Sequence, residues 1–258
     1  YSHGKGLKPC TLIDKVKVEK KMERREALEY LVGLGMEKEP IVELPQGTYT
    51  RESLKRVTAP LAEVLRVSTL TGLVDYIKAN VDQIRGELLI HVNAYNEVRL
   101  YSPLNCDRER ELYIKAEAIL PNNIRYNDFL DTERFNIMLQ SSFVDAGDKA
   151  VLLKYTGLVQ DEAVKSTGDD GVSQQVTVKT GVASVGQAIV PNPVSLAPYR
   201  TFPEVEQPIS KFIFRMQSGP RAALFEADGG AWRNQAIINI KQYLEKELEE
   251  IKNISIIA

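Results

Sequence analysis

Residues 209–251 place two different apolar periods back to back, and few architectures accommodate both. From Ile209 to Met216 the chain alternates, with Phe212, Phe214 and Met216 on one side and Lys211 and Arg215 on the other. A period of two is the mark of a strand with one buried face. Ser218-Gly219-Pro220 supplies a turn, and Ala222 to Ala227 reads as the returning strand. Asp228-Gly229-Gly230 breaks it. Apolar residues then recur at Trp232, Ala236, Ile237, Ile240, Leu244, Leu248 and Ile251, the stripe of a long amphipathic helix. Ile254 to Ala258 reads as a short closing strand.

The rest of the chain mixes the same two periods. Apolar positions in Glu23 to Leu34 suit a helix ended by Gly33 and Gly35, and Ile41, Val42 and Leu44 suit a short extended piece. Ser68 and Thr69 can cap a helix running to about Ile84. Glu87 to Val92 and Glu97 to Tyr101 read as a hairpin across Asn93 to Asn96. In Leu112 to Leu120, Leu112, Ile114, Ala116 and Ala118 share one face, and Tyr113, Lys115 and Glu117 the other. Thr132 and Asp148 are candidate caps for two further helices. Gly168-Asp169-Asp170-Gly171 is a turn signal inside a polar, β-prone stretch, so a projecting hairpin is expected near 160–185. Prolines at 191, 193, 198, 203 and 208 predict a connector with little regular structure. Strands and helices come in irregular groups and not as a βαβα series. The expected class is therefore α+β: a mixed, mainly antiparallel sheet with packed helices and a long final helix.

Residues 1–21 are basic and weakly periodic, and Met22 opens a better helix. Two readings stand: a leader ahead of a start at Met22, or a basic arm. Residues 22–258 are expected to form one α+β domain.

Charge and residue types narrow the chemistry. The net charge is −2, so no global basic excess marks a phosphate-binding protein. No apolar run reaches the roughly 18 residues of a membrane span. Cys10 and Cys106 form no CxxC, and so sparse a set points to a reducing compartment, the cytoplasm. With His3 and His91 as the only histidines, no zinc motif can be assembled. No P-loop, GxGxxG or GxSxG occurs, so no catalytic residue and no cofactor is assigned. His91 lies within an apolar strand and is expected to be structural.

One loop keeps some chemical promise. Glu226 and Asp228 sit at i and i+2 on a strand and share a face, where two carboxylates could hold Mg²⁺ or act as an acid and base. Asp228, Gly229 and Gly230 lie between a strand and a helix, where backbone N–H groups could meet an anion. The alternative is structural: Asp228 caps the helix, the glycines turn the chain, and Trp232 fills the core. Lys211-Phe212-Ile213-Phe214-Arg215 interleaves cations with aromatics, as single-strand binders do. Alternation, however, sends these phenylalanines to the face opposite the cations.

A resemblance is carried by Thr69-Leu70, Asp75-Tyr76-Ile77, Phe135, Gly168-Asp169-Asp170-Gly171, Pro191-Asn192-Pro193, Pro198-Tyr199-Arg200-Thr201-Phe202 and Phe212-Ile213-Phe214-Arg215. Their order over residues 60–250 resembles the YfdQ-like family of tailed-phage and prophage proteins. It implies a phage gene context in a bacterial host and brings no catalytic residue. The expectation is a non-enzymatic protein that assembles with itself, with Asp169, Asp170 and Gly171 as contact candidates. The alternatives are a DNA-metabolism accessory that binds single strands or a recombination partner, and an Mg²⁺-dependent hydrolase using Glu226 and Asp228.

Overall fold

The computed structural model describes residues 30–31, 41–50, 56–57, 61–105, 108–158, 168–169, 174–179, 185–189, 192–217, 219 and 221–258. Residues 1–21, Met22 and Cys106 lie outside them, as does all but Tyr30 and Leu31 of the helix expected at 23–34. Strands β1 (Ile41–Leu44), β2 (Gly47–Thr50) and β3 (Arg56–Val57) form an antiparallel sheet in that order. Leu44 pairs with Gly47, so Pro45 and Gln46 alone make the turn.

After β4 (Leu65–Val67), helix α1 (Leu70–Ala79) starts where Thr69 Oγ1 accepts the Gly72 N–H at 3.1 Å. It ends five residues before Ile84. Asn80 adopts the left-handed conformation at φ 43°, and its side chain takes the Ile84 N–H at 2.8 Å. Strands β5 (Leu88–Ala94) and β6 (Glu97–Tyr101) form the expected hairpin, and β7 (Leu112–Glu117) extends it. A register shift at Leu100/Tyr101 interrupts alternation in β7, and Tyr113 packs against the core that it was expected to face away from.

Strand β8 (Leu130–Asp131) leads into α2 (Thr132–Ser142), whose cap is Asp131 and not Thr132. The Asp131 carboxylate accepts the Arg134 N–H at 2.9 Å. Helix α3 (Lys149–Leu158) follows Asp148, whose carboxylate takes the N–H of Ser195 at 2.7 Å, across in another strand. Strand β9 (Gly168–Asp169) pairs antiparallel with β10 (Gln174–Lys179), and β10 with β11 (Val185–Ile189). The chain reverses twice here, so a three-stranded sheet reaching residue 189 replaces the single hairpin expected at 160–185. Asp170 and Gly171 lie outside the described residues. The remaining elements are β12 (Val194–Leu196), β13 (Ser210–Gln217), β14 (Arg221–Glu226), α4 (Trp232–Glu247) and β15 (Ile254–Ile257). Helix α4 stops before Leu248 and Ile251, which continue its stripe in the turn beyond.

Where one body was expected over 22–258, the chain divides into two compact units: Tyr1–Ala62 with Leu104–Glu109, and Glu63–Pro103 with Arg110–Ala258. The first holds the β1-β2-β3 sheet.

The second is built on two larger sheets. One has the order β15-β5-β6-β7-β4, antiparallel at its centre and parallel at both edges. Leu70, Leu73, Val74 and Ile77 of α1, and Ile240 and Leu244 of α4, cover one face over Ile90, Val92, Leu100 and Ile114. The other has the order β12-β13-β14-β8 and is antiparallel throughout. There Phe135, Met138 and Leu139 of α2 and Leu152 of α3 bury Phe212, Phe214 and Met216. Helices packed on a mixed, mainly antiparallel framework make the fold α+β.

The proline-rich stretch departs most from its expectation. It contains β12, and Val194, Leu196 and Phe202 are fully buried. Val194 and Leu196 enter one core, Phe202 and Val205 the other. Gln207 holds the segment in shape. Its Oε1 accepts the N–H groups of Arg200 and Thr201 at 2.9 and 3.2 Å, and its Nε2 donates to the carbonyls of Phe202 and Val205 at 2.9 and 3.2 Å. A buried amide with both ends satisfied replaces the ladder bonds that the prolines cannot make.

Candidate functional site

The loop after β14 is where the sequence concentrated its chemical candidates, and the structure builds it around an arginine that the sequence reading did not single out. Arg200 leaves the proline-rich segment and is 5% exposed. One guanidinium nitrogen bonds Glu226 at 2.9 Å, and another bonds the Ser210 hydroxyl. The guanidinium lies 4.0 Å from the centre of the Trp232 ring and 5.7 Å from that of Phe212. On Trp232, Arg233 adds a second cation at 4.9 Å, and Tyr95 meets the ring edge-on at 4.8 Å. Burial disfavours the Arg200 charge, and Glu226 and Asp228 oppose that loss. Tyr126, whose ring stacks on Phe212, has its hydroxyl pushed up to about 12 chiefly by burial.

Asp228 is not at the N-cap position of α4, although its carboxylate reaches the N–H of Trp232, the first residue of the helix. The position before the helix is Ala231, with no side-chain cap, and the Asp228 carboxylate accepts the Gly230 N–H at 3.0 Å. Gly229 and Gly230 take φ of 62° and 82°, which permits the turn. Burial alone would raise the Asp228 carboxyl. Its bonds to Ser210 and to the Gly230 and Trp232 N–H groups, with the nearby Arg200 charge, outweigh burial and hold it below the usual carboxylate range. The carboxylate thus occupies the place an anion would take at this helix start. Glu226 is the carboxylate that bonds the Arg200 guanidinium, while Asp228 bonds Ser210 and the loop N–H groups and feels the arginine only through its charge. Among the described residues no group of three or more His, Cys, Asp or Glu side chains comes together.

The other candidates fall elsewhere. Asp169 sits in β9 opposite Gln174. His91 lies in β5 opposite Arg99, on the face turned away from the core residues Ile90 and Val92. On that face Glu97 bonds Arg99 at 2.7 Å and Lys115 at 2.6 Å, so the cations there are already engaged.

The sequence also gave no warning of an uncapped sheet edge. Among the described residues β15 pairs with β5 alone, in parallel. Its outer edge therefore presents backbone N–H and C=O groups without a ladder partner. Ile254 and Ile256 pack against the core, while Ser255 and Ile257 are exposed. No helix among the described residues is long and apolar enough to cross a membrane.

No protein-family model matches the chain, and neither a curated protein nor a solved structure does.

Proposed function

We propose that this protein works by assembling with copies of itself and not by catalysis. One observation carries the reading: the open edge of β15 has no charge and no proline. Edge strands are usually blunted by lysines, prolines or bulges, because an unpaired row of backbone groups recruits another strand. The opposite edge of the same sheet is blunted in this way, since β4 carries the exposed Arg66. Ile-Ser-Ile-Ile carries no such device, and Ile257 is 48% exposed.

A second copy is the occupant that fits. Around a two-fold axis an edge strand meets a second copy of itself, so a strand of like charges would repel itself and a neutral one does not. Antiparallel pairing centred on Ile256 keeps Ile254 and Ile256 on the core side of both copies. Ser255 then lies opposite Ile257 on the other face. The two five-stranded sheets would run on as one, a strand addition closed by symmetry. The engagement of Glu226 by Arg200 and of Asp228 by the loop N–H groups agrees with a non-enzymatic role, and the YfdQ-like resemblance adds a phage context.

Size-exclusion chromatography with light scattering tests this. The expected mass is a multiple of 29.0 kDa that falls toward the monomer in Ile257→Lys. A monomer at every concentration would end the proposal.

A further inference from the structure

The cations of β13 face away from Phe212 and Phe214, and the structure provides them with other aromatics. Lys211, Ile213 and Arg215 share the face of the four-stranded sheet opposite α2 and α3. Register places Phe225 of β14 directly across from Ile213, and Ala223 across from Arg215. Phe129, just before β8, meets Phe225 edge-on at 6.1 Å. Phe129, Phe225 and Ile213 therefore make an apolar row across the sheet. Lys211 stands on one side of the row, and Arg215 and Arg221 on the other. Ile213 is 38% exposed, and Lys211 and Arg221 are exposed.

We propose that this face binds single-stranded nucleic acid. Each part of the arrangement selects for that partner. The half-exposed rings of Phe129 and Phe225 on this antiparallel sheet offer apolar surface to unstacked bases, and every base has a face to stack. The bases of a duplex are already stacked on one another, so the row is of no use to them. Cations on both sides of the row lie where the backbone of a strand crossing the sheet would carry its phosphates. Arg215 is engaged within the protein, so the phosphate contacts rest on Lys211 and Arg221. Neither of these two forms an ion pair among the described residues. Asp131, the carboxylate opposite Arg221, is held at the start of α2 by Arg134. The local balance is thus positive although the whole chain is at −2. A protein partner would meet a row only one side chain deep, flanked by long cations that must be desolvated.

The test is fluorescence anisotropy of the full chain with a labelled oligothymidylate and with a duplex of equal length, at low and rising salt. Binding is expected to favour the single strand. Phe225→Leu keeps apolar volume and removes the ring, and is expected to weaken binding about 5- to 100-fold, the worth of one base stack. Lys211→Ala, at an exposed site that leaves the fold intact, is expected to reduce the salt slope by about 0.7, one phosphate contact on a single strand. Ile257→Lys is expected to leave oligonucleotide binding unchanged, so this proposal and the assembly of β15 edges stand or fall separately. Three results overturn it: no binding at low salt, equal affinity for duplex with Phe225→Leu silent, or Phe225→Leu and Lys211→Ala changing the oligomeric mass and not oligonucleotide binding. The last would mark the face as a protein contact.

Discussion

Removing Arg200 tests whether the loop after β14 is a structural joint. In Arg200→Ala the cation over Trp232 at 4.0 Å is lost, as are the bonds to Glu226 and Ser210. A desolvated cation on tryptophan contributes about 2 kcal/mol, and hydrogen bonds to charged groups about 1.5–3 kcal/mol each. The Glu226 bond belongs at the low end, because that side chain is 34% exposed and regains water when the arginine goes. Allowing for that rehydration, the expected loss is about 3–4 kcal/mol, within the range for breaking a buried pair from its buried side. Glu226→Gln keeps an acceptor at the same place and is expected to cost about 1 kcal/mol. The asymmetry follows from burial, since the arginine is enclosed and the glutamate is not. Urea unfolding followed by tryptophan fluorescence reads this directly, because Trp232 is the only tryptophan and lies against the guanidinium. With an m-value of about 2 kcal/mol/M, the Arg200→Ala midpoint drops by about 1.5–2 M. A drop under 0.5 M, roughly 1 kcal/mol, or a Glu226→Gln loss as large as that of Arg200→Ala, refutes the reasoning.

Two further outcomes follow from the same geometry. The Asp228 carboxyl is held below its unfolded range near 3.9, so its contribution is complete above about pH 4 and is lost as pH falls through the lower folded value; the stability gap between the protein and Asp228→Asn should therefore be full at pH 6 and shrink below about pH 4, and a gap that widens in acid would contradict the assignment. Gly147 has φ 61° and a Cβ there would stand 2.2 Å from the Ser195 carbonyl oxygen, whereas Gly157, inside α3, would meet nothing within 4 Å. Gly147→Ala is accordingly expected to destabilise by about 2 kcal/mol or more, and Gly157→Ala to stabilise by about 0.5–1 kcal/mol, as thermal unfolding would show.

What was legible in the sequence was local. The alternation of Phe212, Phe214 and Met216 placed β13, and those three are buried there together with Ser210. The stripe Trp232, Ala236, Ile240 and Leu244 placed α4 against the core, and Thr69 marked the start of α1. Each signal needs only neighbours a few residues away, because the backbone period alone decides which side chains share a face. Boundaries were less legible where one side chain competes for the backbone. Asn80 ended α1 early, and Asp131, one residue before the expected Thr132, capped α2.

The site was decided by pairing between distant parts of the chain. Arg200 and Glu226 are 26 residues apart, and Glu204 reaches the N–H of Thr71 across 133. No local period records such partners. The prolines of 191–208 suggested a connector with little regular structure, whereas the segment holds β12 and enters both cores, because a buried glutamine supplies hydrogen bonds that a ladder would have supplied. The sequence by itself determined which residues of β13 are charged and which are aromatic, and that the two lie on opposite faces. Only the tertiary structure decided that Phe225 and Phe129 stand beside those charges, and that the uncharged β15 pairs with β5 alone among the described residues. Strand order and register come from long-range closure of the chain, whose entropy is offset by the packed core as a whole and not by any single segment.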